Sequence, residues 1–169
     1  EVHTISERLS QDFEIKFLSP EAKMDGGDIV YTGNGFLIGR STRTNDIGIN
    51  ELSEIASMFG YSTQVVDVPS STLHLTTVCS VPKNGILIAA EGHLKPEQVT
   101  GFDDIIWVPN SETYASNTIA MENGVVLVSA GFPITKQRLE RSGFETKEVE
   151  MGEIMQADGS LTCLSLFIG

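Results

Sequence analysis

The chain of 169 residues is 40% hydrophobic and 7% aromatic, an ordinary composition for one globular domain with a sizeable core. Its formal net charge of −12 excludes the clustered Lys and Arg of a phosphate-binding surface, so nucleic acid is not an expected partner, whereas small cations are attracted. No apolar run nears the roughly 20 residues that span a bilayer, no signal peptide is visible, and the two cysteines lack metal-ligand spacing, which points to a cytoplasmic protein with reduced thiols and no membrane contact.

In chain order, Val2, Ile5 and Leu9 recur at helical spacing, and residues 13–18 alternate Phe-Glu-Ile-Lys-Phe as a half-buried strand does. Asp25-Gly-Gly-Asp28 follows. Two apolar runs then flank Asn34-Gly35, the strongest short hairpin signal because both central residues of such a turn take positive φ. Arg43-Thr44-Asn45 leads into a helix with Leu52, Ile55, Ala56 and Phe59 on one face; Thr44 or Asn45 caps it and Gly60 ends it.

The pattern then recurs. Tyr61 to Val68 reads as a strand, Pro69 to Thr72 as a loop, His74 to Ser80 as a second strand, Asn84-Gly85 as its hairpin turn, and Lys95 to Val99 as a short helix. A third round has a strand after Phe102, a loop from Pro109 to Ser116, a hairpin about Asn123-Gly124, and a helix from about Ile134 to Ser142 that stops at Gly143. A fourth opens at Phe144 and ends in Asp158-Gly-Ser, a turn, with Leu161 to Ile168 as a short apolar strand that carries Cys163 near its start.

Units of approximately 13–60, 61–101, 102–143 and 144–169 therefore form an internal repeat within one domain. The opening aromatics Phe13, Tyr61, Phe102 and Phe144 are 48, 41 and 42 residues apart. Mixed units of this size predict an α/β propeller-like ring of ββαβ modules, with each hairpin's first strand facing the middle.

The start of that strand is occupied in successive units by Asp25, His74, Asn117 and Cys163. Equivalent positions in a ring share one rim, so acid, imidazole and thiol are expected to converge. A thiol with a histidine, and a carboxylate to orient that histidine, is what thiol catalysis requires. Taken singly, each residue has a plainer reading. A free cysteine is usually a small buried hydrophobe, and Cys79, inside an apolar strand, reads as core. A lone His74 is more often a satisfied or surface histidine, Arg43 a surface or cap residue, and Asp25-Gly-Gly-Asp28 a turn; His3 and His93 have no context that lifts them above this. Co-occurrence at matched positions is what points to a site.

With these residues assembled, the chain resembles the guanidino-modifying (pentein) superfamily, most closely its dimethylarginine dimethylaminohydrolase family. The resemblance is carried by Asp25-Gly-Gly-Asp28, by Leu37-Ile-Gly-Arg-Ser-Thr-Arg43-Thr-Asn45, by Leu73-His74-Leu-Thr-Thr-Val-Cys79-Ser80, and by Asp158-Gly-Ser-Leu-Thr-Cys163-Leu-Ser. The spacings of 18 from Asp25 to Arg43 and 31 from Arg43 to His74 also agree. The resemblance implies Cys163 as the nucleophile on a guanidinium carbon, His74 as the proton carrier, and Asp25 as the carboxylate that orients it. It implies Arg43 as the partner of the substrate's α-carboxylate and the Ala157 backbone carbonyl as a contact of its α-amine. The implied reaction turns a methylated arginine into citrulline and dimethylamine with no cofactor, in arginine metabolism and nitric oxide regulation.

The family's ring has five modules, of which this chain supplies three and part of a fourth, and it opens with Glu1 rather than Met. It is therefore expected to be an incomplete pentein domain whose partner is the missing N-terminal segment or another copy of itself. Two further readings stand beside the hydrolase. One is an arginine or agmatine deiminase-like enzyme, with Arg43 favouring a substrate that has an α-carboxylate. The other is a non-catalytic pentein that serves as an interaction module.

Overall fold

The computed structural model describes residues 2–165. Among them are three three-stranded sheets built to one plan. In the first, β1 (Ile29–Tyr31) runs antiparallel to β2 (Gly35–Arg40), and β2 runs parallel to β3 (Ser62–Asp67) after the crossover helix α2 (Asp46–Met58). In the second, β4 (Cys79–Lys83) pairs with β5 (Ile86–Ala90), and β5 with β6 (Asp104–Val108); the crossover carries only a 3₁₀ turn, Pro96–Gln98. In the third, β7 (Ile119–Ala120) pairs with β8 (Val125–Ser129), and β8 with β9 (Glu145–Val149) after α3 (Pro133–Arg141). Helices α1 (Val2–Leu9) and α4 (Gly152–Gln156) flank these sheets in the chain. Each sheet takes its third strand from the segment that opens the next sequence repeat, so a parallel crossover links neighbouring repeats.

This is the mixed α/β ββαβ architecture that the repeat predicts, with three separate sheets and no closed barrel among the described residues. The middle strands are the most apolar and the most buried, as strands with neighbours on both sides should be: Leu37, Ile38, Leu87 and Ile88 are inaccessible to solvent. The hairpin's first strand is the inner one in each unit. β4 touches both β1 and β7, and residues of all three line one groove. Apolar packing is shared between units: Leu37 and Val66 of the first cluster with Leu75, Val78 and Leu87 of the second. Helix α2 starts where the sequence places it, with the Asn45 side chain accepting from the Gly48 amide at 2.9 Å. Its buried face is centred on Ile49 and Ala56, with Phe59 exposed beyond its end.

Three local expectations are corrected. Residues 13–18 form no strand, and Phe13 and Phe17 are exposed. The later aromatic strands β3, β6 and β9 are each the third member of a preceding hairpin's sheet, and the described residues contain no hairpin ahead of residue 13 to offer such a ladder. The Asn-Gly turns are also different in kind. Asp158 is the sole non-glycine with positive φ among the described residues, so Asn84 and Asn123 are not left-handed and only Gly85 and Gly124 are. In the first hairpin that role passes to Gly33, at φ 94°, and Gly35 already lies in β2 against Ser62, where a Cβ would come within 2.2 Å of the carbonyl oxygen. Finally, Cys163 lies on a 3₁₀ turn, Thr162–Leu164, and not yet on a strand. Similar turns, Gly26–Asp28 and Leu75–Thr77, precede β1 and β4, so the repeat places a turn where the sequence suggests the start of a strand. The rest of the expected strand, residues 166–168, lies outside the described residues.

Candidate active site

The acid and the imidazole are brought together by two of these turns. Asp25 caps the first, accepting from the Gly27 amide at 3.0 Å, and His74 stands at the head of the second. His74 Nδ1 is 3.6 Å from Asp25 Oδ1 and is buried without a hydrogen-bond partner. That separation is longer than a hydrogen bond, and contacts of this kind commonly tighten only when substrate arrives. The approach needs Gly27: a Cβ there would lie 2.7 Å from His74 Cγ.

Behind this pair is a residue that the sequence presents only as part of a turn motif. Asp28 is wholly buried. Its Oδ2 accepts from Ser41 Oγ at 2.6 Å and Thr44 Oγ1 at 2.7 Å, and its Oδ1 from the Leu75 amide at 2.9 Å. Thr44 Oγ1 in turn accepts from the Asp25 amide at 3.1 Å. One carboxylate thus joins the Asp25 turn, the Arg43 loop and the residue next to His74. A buried carboxyl group is tolerated when it is so fully hydrogen-bonded. The available signal was a charged residue immediately ahead of an apolar strand.

His74 and Cys163 line one cleft of about 460 Å³, large enough for an amino-acid-sized ligand. Tyr114, Asn117, Asp158 and Ser160 also line it, and no Lys or Arg is among its described lining residues. Cys163 is an exposed free thiol, with its Sγ 3.3 Å from Ser160 Oγ. The other thiol differs in every respect. Cys79 is fully buried in the core, and that burial pushes its pKa far above the ordinary thiol range, so it stays protonated and inert. Burial, with the neighbouring Cys163 as a second cause, raises the Tyr114 phenol, which donates to the Gly159 carbonyl at 2.7 Å and holds the loop before the thiol. Asp158 takes φ 58°, a left-handed conformation that Asp tolerates better than most residues.

Arg43 and Ala157 are not brought into the cleft lining. The Arg43 guanidinium donates to Asp25 Oδ2 at 3.4 Å on an exposed face, and Ala157 is an exposed residue at the end of α4, next to the lining segment Asp158–Ser160. Among the described residues no group of three or more His, Cys, Asp or Glu side chains is arranged to hold a metal ion, and no helix is long and apolar enough to cross a membrane.

No family model matches the chain. It is 35% identical over 156 residues to the N(G),N(G)-dimethylarginine dimethylaminohydrolase of Pseudomonas aeruginosa, which covers 90% of this chain and 59% of that protein. The structure superposes with a TM-score of 0.86 on a cysteine-to-serine mutant of the Pseudomonas aeruginosa enzyme complexed with citrulline, at 32% identity over 98% of this chain and 64% of that one. The N-terminal domain of a cyanobacterial arginine dihydrolase, bound to product, shares the fold at a TM-score of 0.78 and 19% identity, covering 98% of this chain and 64% of that one. The chain thus spans between about half and three fifths of the length of the curated relatives it matches.

Proposed function

Because the chain is a dimethylarginine dimethylaminohydrolase-like member of the guanidino-modifying (pentein) family, we propose that it carries the reacting residues of a hydrolase acting on the guanidinium carbon of an Nω-methylated arginine. The observation that carries this is the exposed Cys163 thiol sharing one cleft with a His74 whose unpartnered Nδ1 faces Asp25.

In this reading Cys163 Sγ, as thiolate, attacks the planar guanidinium carbon. His74 gives its proton to the departing dimethylamine as that C–N bond breaks, which leaves a covalent thiouronium on Cys163. Water then adds to the same carbon and gives one proton to His74; the C–S bond breaks as the remaining hydroxyl proton passes to solvent, the thiolate returns and citrulline leaves. Asp25 holds and orients the imidazole. Ser160 Oγ, at 3.3 Å, is within reach of the sulfur as a hydrogen-bond donor to the thiolate.

Arg43 would serve the substrate's α-carboxylate by exchanging Asp25 for it. The present contact is long and exposed, so little is lost in the exchange, while a bidentate carboxylate contact is the geometry a guanidinium favours. The Ala157 carbonyl, beside the lining segment, would meet the α-amine. The test is citrulline release from dimethylarginine. Cys163→Ser should lower it on the order of 10⁴-fold or more, and Cys79→Ser should leave most of it. Reversed effects would place the reactive thiol elsewhere.

A further inference from the structure

The fourth matched position of the repeat, Asn117, has no role in the chemistry above, yet its side chain is the best-satisfied group in the cleft. It is 1% exposed. Its Nδ2 donates to the Thr76 carbonyl at 2.7 Å and to Thr162 Oγ1 at 2.8 Å, and its Oδ1 accepts from the Thr162 amide at 3.1 Å. Thr76 is in the turn headed by His74, and Thr162 is in the turn that carries Cys163. One carboxamide therefore spans the two turns.

We propose that Asn117 is a positioning residue that sets the approach of the Cys163 thiol to the His74 imidazole. The inference rests on the reading of those two as the reacting pair. Asn117 suits the task because its carboxamide presents two donors and an acceptor in one plane. It therefore takes a backbone carbonyl from one turn and both a backbone amide and a hydroxyl from the other. Its own position is fixed independently. It follows the 3₁₀ segment Asn110–Ser116, in which the buried Glu112 carboxylate accepts from the Ile134 and Thr135 amides and from Thr135 Oγ1, at 3.1, 2.6 and 2.7 Å. Those bonds anchor the segment on the N-terminus of α3. The bracket is thus tied to the third unit, and the two turns it spans belong to the second unit and to the segment after the third.

The test reads the coupling directly through the rate of Cys163 alkylation by iodoacetamide, followed by peptide mass spectrometry, in the wild-type protein and in Asn117→Ala and Thr162→Val, each with and without His74→Ala. A free thiol is only a few per cent ionised at pH 7, so a base that takes its proton gains on the order of tenfold in rate. His74→Ala should therefore slow alkylation by about that factor. In an Asn117→Ala background, adding His74→Ala should change the rate by less than about twofold, because the imidazole is no longer held to the sulfur. Thr162→Val, which removes a single acceptor, should give an intermediate His74 dependence and serves where Asn117→Ala does not fold. A purely structural Asn117 would alter alkylation equally with and without His74 and leave that ratio unchanged. A His74 dependence that persists undiminished in Asn117→Ala, or in Thr162→Val where only that variant folds, overturns the proposal and leaves the reacting pair standing. No His74 dependence in the wild-type protein overturns both.

Discussion

On one side of the cleft, Asp25 and His74 sit in front of a wholly buried carboxylate, Asp28, that takes hydrogen bonds from three residues on two separate segments. On the other, the Cys163 thiol is exposed on a short 3₁₀ turn, held by Asn117 through Thr162 and by the Tyr114 hydroxyl through Gly159. The first side is locked by interior polar bonds within the first unit and from it to the second, where the low dielectric makes each bond strong and its loss costly. The second hangs from two side chains of the third unit. Precision of the acid–imidazole half is therefore tied to one buried carboxylate, whereas precision of the thiol half depends on the buried Asn117 carboxamide and the Tyr114 hydroxyl.

The sharpest way to break that comparison is Asp28→Ala. It leaves the buried Leu75 amide and the Ser41 and Thr44 hydroxyls without their acceptor, at a cost of about 3 kcal/mol or more, since each buried polar group so stranded costs roughly 1–3 kcal/mol. A large fall in melting temperature is expected. A variant as stable as the wild type would mean that the two sides are supported alike.

A smaller effect should come from Arg43→Ala, because its ion pair with Asp25 is half exposed. Stability should change by less than about 1 kcal/mol. Turnover of dimethylarginine should fall about ten- to a hundredfold through loss of a charge-assisted carboxylate contact, with little change toward a guanidine that lacks a carboxylate. Equal losses on both substrates would assign Arg43 to the Asp25 contact alone.

The same division governs what could be read from the sequence. Asp25, His74 and Cys163 were legible as candidates because the repeat places them in register, and register is a property of spacing. Asp28 was not, since its importance lies in contacts with Ser41, Thr44 and Leu75, which are 13, 16 and 47 residues away in the chain. Asn117 was visible as a matched position but not as a bracket, for the same reason. The alternation in residues 13–18 has a strand's period, yet a strand needs a ladder partner and the described residues provide none there. The Asn-Gly signal located the second and third hairpins but is one residue late in the first. There Gly33 is the left-handed residue, and the close approach to Ser62 keeps Gly35 in the strand.

The central claim, that the exposed thiol and not the buried one forms a covalent bond to the guanidinium carbon, is tested most directly by intact-protein and peptide mass spectrometry. Samples would be quenched in acid during turnover of dimethylarginine. The account predicts a thiouronium adduct on the peptide that contains Cys163, absent in Cys163→Ser. Cys79 should stay unmodified at neutral and mildly alkaline pH, because burial raises its pKa and holds its thiol in the protonated form. An adduct on Cys79, or citrulline release with no adduct on either cysteine, would contradict it.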